Sequence, residues 1–131
     1  MGRLAHSVDW FLQAMQAQGQ LNNVVLFSAS DFGRALSSNG DGCDHGWGNH
    51  HLILGGAVQG GRIHGAFPSM ALGGPDDSGT RGAFIPTTST EQYAATLAKW
   101  LGVTDQDLPL VFKNLYDNIG LFGTADLGFM G

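Results

Sequence analysis

Apolar residues recur at helical spacing near the start of the chain: Leu4, Val8, Phe11, Leu12 and Met15 share one stripe, and Asp9, Gln13 and Gln16 lie off it. The spacing predicts an amphipathic helix that Gly19 ends, since glycine takes the left-handed cap conformation at little steric cost. Asn23-Val24-Val25-Leu26-Phe27-Ser28-Ala29 follows as a β-branched and aromatic run without alternation, the pattern of a central strand in a parallel sheet covered on both faces. Between Asp31 and His51 there is no second apolar run, only Asn39, Gly40, Asp41, Gly42, Gly46 and Gly48 among carboxylates and imidazoles, which predicts a long functional loop. His51-Leu52-Ile53-Leu54-Gly55-Gly56 reads as a second short buried strand, and Gly60-Gly61 turns the chain into Arg62-Ile63-His64-Gly65.

Phe67 to Pro86, with Pro75-Asp76-Asp77 and four glycines, forms a surface excursion with a short strand at Gly82 to Ile85. Thr88-Ser89-Thr90-Glu91 is a capping box that opens a helix through Leu101, stopped by Gly102, with Ala94, Leu97, Ala98 and Leu101 as its buried stripe. Thr104 to Leu108 begins a further turn before Pro109, and Gly120 to Gly131 is too rich in glycine to assign. The order helix, strand, loop, strand, helix is an α/β arrangement with only two strands of the central parallel kind, too few for a stable sheet. The expectation is one partial domain over residues 1–131, the carboxyl-terminal part of a larger parallel-sheet domain, with helices packed on a small sheet between long Gly-rich loops. A helix directly after Met1, with no strand before it, fits that expectation.

Composition narrows the function classes. With 43% hydrophobic and 13% charged residues, the 131-residue chain is globular, and its length allows one domain. A net charge of −5 with six unclustered Lys and Arg gives no electrostatic footprint for a phosphate backbone, which argues against nucleic acid as a partner. No apolar run approaches the roughly 20 residues of a membrane span, and no charged-then-apolar leader opens the chain, so the sequence as given reads as cytoplasmic. Cys43, the single cysteine, excludes an internal disulfide.

Candidate chemistry concentrates after the first strand. Open α/β sheets carry their sites just past the carboxyl ends of strands, where Asp31 falls, and Asp44-His45 with His50-His51 complete what looks like half of a metal site. Asp31 reads as a metal ligand or an Asx-turn residue, and His45 as a ligand or a solvated imidazole. Asp44 is a ligand, a carboxylate that orients the His45 ring, or a turn residue. His50 and His51 begin the second strand, where alternation sends one of them toward the site. Arg34 either clamps an anionic substrate or pairs with a carboxylate such as Asp44. Cys43 reads as inert, and Pro75-Asp76-Asp77 as a solvated turn rather than a cation loop.

The run from about Ala5 to Leu115 carries a family resemblance. It lies most closely in Ser28-Ala29-Ser30-Asp31-Phe32-Gly33-Arg34, Asn39-Gly40-Asp41-Gly42, Asp44-His45-Gly46-Trp47-Gly48, Leu54-Gly55-Gly56-Ala57-Val58-Gln59-Gly60-Gly61, Ala71-Leu72-Gly73-Gly74-Pro75-Asp76-Asp77 and Pro86-Thr87-Thr88-Ser89. These motifs resemble the carboxyl-terminal part of the domain of unknown function 1501 family, whose bacterial members usually carry a twin-arginine export signal and are similar to the sulfatase and alkaline phosphatase superfamily. The resemblance implies an alkaline phosphatase-like fold in which Asp31 matches the metal carboxylate after a central strand and His45 the later histidine. Such donors suit zinc or manganese. Phe32 departs from the pattern, standing where a neighbouring histidine belongs. The superfamily's nucleophile and first metal carboxylate lie in an amino-terminal half without counterpart here, since the first helix offers only His6, Ser7 and Asp9.

Together these readings give the metal-site half of a sulfatase-like or phosphatase-like hydrolase. Asp31, His45 and Asp44 are its metal donors, and Arg34 and His50 face an anionic ester substrate. On this reading the chain is incompetent alone, completed by the missing amino-terminal half or by self-association, and periplasmic or exported in the parent family. The alternative is a family member without chemistry that serves as a binding or structural module of the bacterial envelope.

Overall fold

A computed structural model of the chain describes residues 2–131, which divide into two compact units. The helices are α1 (Gly2–Ala17), α2 (Thr90–Trp100), α3 (Leu108–Val111), α4 (Lys113–Asp117) and α5 (Ile119–Phe122). The strands are β1 (Val25–Phe27), β2 (Gly33–Ser38), β3 (Cys43–Gly46) and β4 (Ile53–Gly55), and a 3-10 turn at Leu21–Asn23 precedes β1. Helices and small sheets agree with an α/β chain. The expected parallel sheet is not what these residues build: among the described residues, β1 pairs with β4 and β2 with β3, both antiparallel. An unbroken apolar run records that both faces of a strand meet apolar neighbours, and it carries no information on strand direction.

The first unit comprises Met1–Ala29, His51–Gly61 and Phe129–Gly131. Its helix α1 ends as its periodicity predicts: Gly19 has φ 67°, its N–H bonds the Gln16 carbonyl at 3.0 Å, and the Gln20 N–H bonds that of Met15 at 2.8 Å. These two bonds form a Schellman closure. Val8, Phe11, Leu12 and Met15 are half-buried, whereas Leu4 is exposed and Trp10 is 67% exposed. Strand β1 is shorter than the apolar run, since Asn23 belongs to the preceding turn. Beyond the Phe27 and Ile53 pair, the Ser28 N–H extends the ladder to the Leu52 carbonyl at 2.9 Å. The unassigned tail returns to this unit, where Val58 and Met130 form an antiparallel bridge flanked by Gln59 N–H to Phe129 O (2.8 Å) and Gly131 N–H to Ala57 O (2.7 Å). Phe129 is its one buried side chain among the described residues.

The second unit comprises Ser30–His50 and Arg62–Gly128. The expected long loop is instead a hairpin, β2 and β3, whose turn closes with Asn39 N–H on the Gly42 carbonyl at 2.9 Å. Gly33 starts β2 where a Cβ would sit 2.0 Å from the Gly48 carbonyl oxygen, so only glycine allows that approach. The helical core is Ala95, Leu108 and Leu115, packed by Ala98, Val103, Phe112, Tyr116, Ile119 and Ala125. Pro109 stands in the first turn of α3, where its missing N–H costs nothing.

The capping box of α2 lies one residue downstream of the expected Thr88 and Glu91. The Ser89 hydroxyl accepts from Gln92 N–H, and the Gln92 side-chain carbonyl accepts from Ser89 N–H, both at 3.0 Å. The buried Gln92 amide also donates to the Thr124 carbonyl at 2.6 Å and the Phe122 carbonyl at 3.3 Å. Tertiary hydrogen bonds thus choose Gln92 over Glu91. The buried face turns accordingly: Ala95, Thr96 and Leu97 are buried, and Leu101 is exposed.

Pro75-Asp76-Asp77 is not a solvated turn. The buried Asp77 carboxylate accepts N–H bonds from Gly73 (3.0 Å), Gly82 (2.8 Å), Gly79 (3.1 Å) and Ala83 (3.1 Å). The Gly73 bond leads in holding its carboxyl below the ordinary 3.8, desolvation opposes it, and the Gly82, Gly79 and Ala83 bonds add to the lowering. The expected strand at Gly82 to Ile85 is reduced to a bridge between Asp77 and Phe84, but the segment runs along β2, with Leu36 N–H on Gly82 O at 3.3 Å and Ser37 N–H on Arg81 O at 3.0 Å.

Ser89→Ala removes the α2 cap and is expected to cost about 1 kcal/mol, against a few tenths for Ser89→Gly, in denaturant unfolding followed by circular dichroism. For Asp77 the depressed folded value means stabilisation that is complete above the unfolded value and lost as pH falls from about 3.8 through the lower folded value. Asp77→Asn is expected to be less stable at neutral pH and to lose that part of the acid-dependent decline, as read from melting temperature between pH 7 and 2.

Candidate functional site

The β2–β3 hairpin positions Arg34, Asp44 and His45. Arg34 and His45 are direct cross-strand partners, so they share a face. The His45 ring stacks on Phe32 with centroids 3.8 Å apart and planes at 27°, and the Arg34 guanidinium lies 5.2 Å from the centroid of the same ring. Arg34 also donates through Nη1 to the Cys43 carbonyl at 2.7 Å. Phe32, which displaces the histidine expected beside Asp31, therefore serves as the platform against which the His45 ring and the Arg34 guanidinium both lie.

Asp44, one residue from His45, takes up different partners, as alternation along a strand dictates. Its Oδ1 accepts from Asn39 Nδ2 at 2.7 Å, and its Oδ2 pairs with Arg81 Nη1 at 3.1 Å. The pairing expected for Arg34 thus belongs to Arg81, which also donates through Nη2 to the Ser38 carbonyl at 3.0 Å. Sequence reasoning missed Arg81 because nothing in Gly79-Thr80-Arg81-Gly82 marks it; it reaches the hairpin only through the backbone bonds that lay its segment along β2. Asp44, His45, Asp77, Thr80 and Arg81 line a cavity of about 320 Å³.

Asp31 is exposed at the bend that leads into Phe32, and His50 stacks on Phe67 with centroids 4.8 Å apart. No three His, Cys, Asp or Glu side chains gather closely enough to hold a metal ion among the described residues. The donor chemistry at Asp44 and His45 suits a divalent ion, but Asp44 already has its charge matched by Arg81. An ion at this place requires Asp44 to release that guanidinium or further ligands to come from outside the chain.

In the first unit the antiparallel register brings together a pair that the sequence did not suggest: the Ser28 hydroxyl lies 3.3 Å from His51 Nδ1. Their separation of 23 positions has meaning only once β1 and β4 are known to run in opposite directions.

No curated protein and no solved structure matches the chain. A family model described as a protein of unknown function, DUF1501, matches residues 1–109, which takes in the hairpin, the Asp77 excursion and α2. The chain belongs to the DUF1501 family.

Proposed function

We propose that this chain supplies the ligand-bearing part of a hydrolase-like domain acting on an anionic ester, a sulfate or a phosphate, and that by itself it is not competent for that reaction. Asp31, His45 and Asp44 are the metal donors of this reading, and Arg34 and His50 meet the substrate's anionic group. The observation that carries it is the convergence of Asp44, His45 and Arg81 on one cavity beside the hairpin. A bound zinc or manganese ion would polarise the phosphoryl or sulfuryl oxygen. The chain's own contribution is electrostatic: guanidinium forks suit a tetrahedral oxyanion, and the Phe32 ring holds the Arg34 and His45 side chains in place for it. The remaining ligands and the nucleophile come from an amino-terminal half or a second copy, in an exported setting.

A second reading, a non-catalytic binding or structural module of the envelope, draws on a different observation. Both oxygens of the Asp44 carboxylate have a partner, Asn39 on one and Arg81 on the other, as in a structural carboxylate. Exposed Trp10 and Trp47, 67% and 72% accessible, also offer apolar surface for association.

Metal content by mass spectrometry, with melting temperature measured with and without chelator, separates the two. On the hydrolase reading, zinc or manganese at 100 times its dissociation constant adds about 2.7 kcal/mol of stability. Chelator removes that gain, and Asp31→Ala and His45→Ala abolish it. Identical melts in the parent and both variants, with no stoichiometric metal, favour the module. Sedimentation of the parent chain across a concentration series is expected to show self-association on either reading, and a monomer at all concentrations would count against both the second-copy arrangement and the association surface.

A further inference from the structure

The end of the β1–β4 ladder holds a serine in contact with an imidazole. Ser28 follows the Phe27 and Ile53 pair, and its main-chain N–H bonds the Leu52 carbonyl at 2.9 Å, which fixes its backbone. Its hydroxyl oxygen in turn accepts the Leu52 N–H at 2.8 Å and lies 3.3 Å from Nδ1 of His51. A hydroxyl has one hydrogen and two lone pairs. With one lone pair engaged by an amide, the hydrogen is directed to Nδ1 in the tautomer that carries its own proton on Nε2. A nucleophile within hydrogen-bond reach of a base is the arrangement that activates serine for covalent catalysis. Ser28 is half-buried and His51 exposed, so a small electrophile can reach the pair.

We propose that Ser28 is a nucleophile activated by His51, with small uncharged carboxylic esters as its substrate class. Ser28 Oγ attacks the ester carbonyl carbon while its proton passes to His51 Nδ1. Collapse of the tetrahedral adduct breaks the carbon–oxygen bond of the leaving alcohol, which takes the proton from the imidazolium. Water, deprotonated by the same nitrogen, then cleaves the acyl-serine and restores the hydroxyl. No metal enters the sequence, so this site stands or falls apart from the donors on the hairpin.

The test uses a fluorophosphonate probe on the full chain, where Ser28 Oγ forms a bond to phosphorus, fluoride leaves and the serine proton is taken up by His51. Peptide mapping by mass spectrometry is expected to place one adduct on Ser28. His51→Ala is expected to slow labelling by about 100-fold or more, Ser28→Ala to abolish it, and His6→Ala on α1 and added chelator to leave it unchanged. The adduct map is read on the parent chain, independently of whether a variant folds. No adduct at Ser28, or an undiminished rate in a folded His51→Ala protein, overturns the proposal.

Discussion

One carboxylate that gathers four amide hydrogens organises the excursion between Phe67 and Pro86, and through it the hairpin site. A glycine-rich segment has little side-chain surface to bury, so its amides must find acceptors if it is to hold one conformation. Asp77 provides these for Gly73, Gly79, Gly82 and Ala83. Once that knot is tied, the Arg81 and Gly82 carbonyls are presented to the Ser37 and Leu36 amides of β2, and the Arg81 guanidinium meets Asp44 and the Ser38 carbonyl. A residue with no place in the proposed chemistry thus sets the charge balance of the residues that have one.

What was legible in the sequence follows from how locally each feature is determined. Helix α1 and its glycine closure are written in a single period and a single cap, and both appear where the pattern put them. Asp44 and His45 were legible as a concentration of donors, since residue type and spacing are local. The hairpin was overlooked although Asn39-Gly40 and Asp41-Gly42 are turn-forming dipeptides, because Gly33-Arg34-Ala35-Leu36-Ser37-Ser38 lacks the apolar content expected of a strand. The α2 box shifted by one residue for a reason no local window contains, the hold of Gln92 on the Phe122 and Thr124 carbonyls. Strand direction, the Arg81 contact and the Ser28 and His51 contact all depend on pairings distant in sequence.

The two candidate sites illustrate opposite electrostatic states. On the hairpin, charge is compensated: a guanidinium sits on the carboxylate, and an aromatic face lies under both the imidazole and the second guanidinium. At the end of β1 no carboxylate or guanidinium takes part in the contact, and the polarity comes from an amide aimed at a hydroxyl oxygen. Membership of a family without a defined reaction leaves the assignment to such site chemistry, since a fold or family carries no mechanism by itself.

The first unit is assembled from three stretches of chain, and the last of them, Phe129–Gly131, carries its one buried side chain among the described residues. The bridge between Val58 and Met130 closes a long loop, and such closures cost entropy before any contact repays it. During synthesis, α1 and the β1–β4 ladder emerge well before the segment that completes their unit, whereas the α2 to α5 core draws on neighbouring residues and can form as it is made. The order of birth on the ribosome is therefore the reverse of the order of completion: the unit whose translation starts first is the last to be finished.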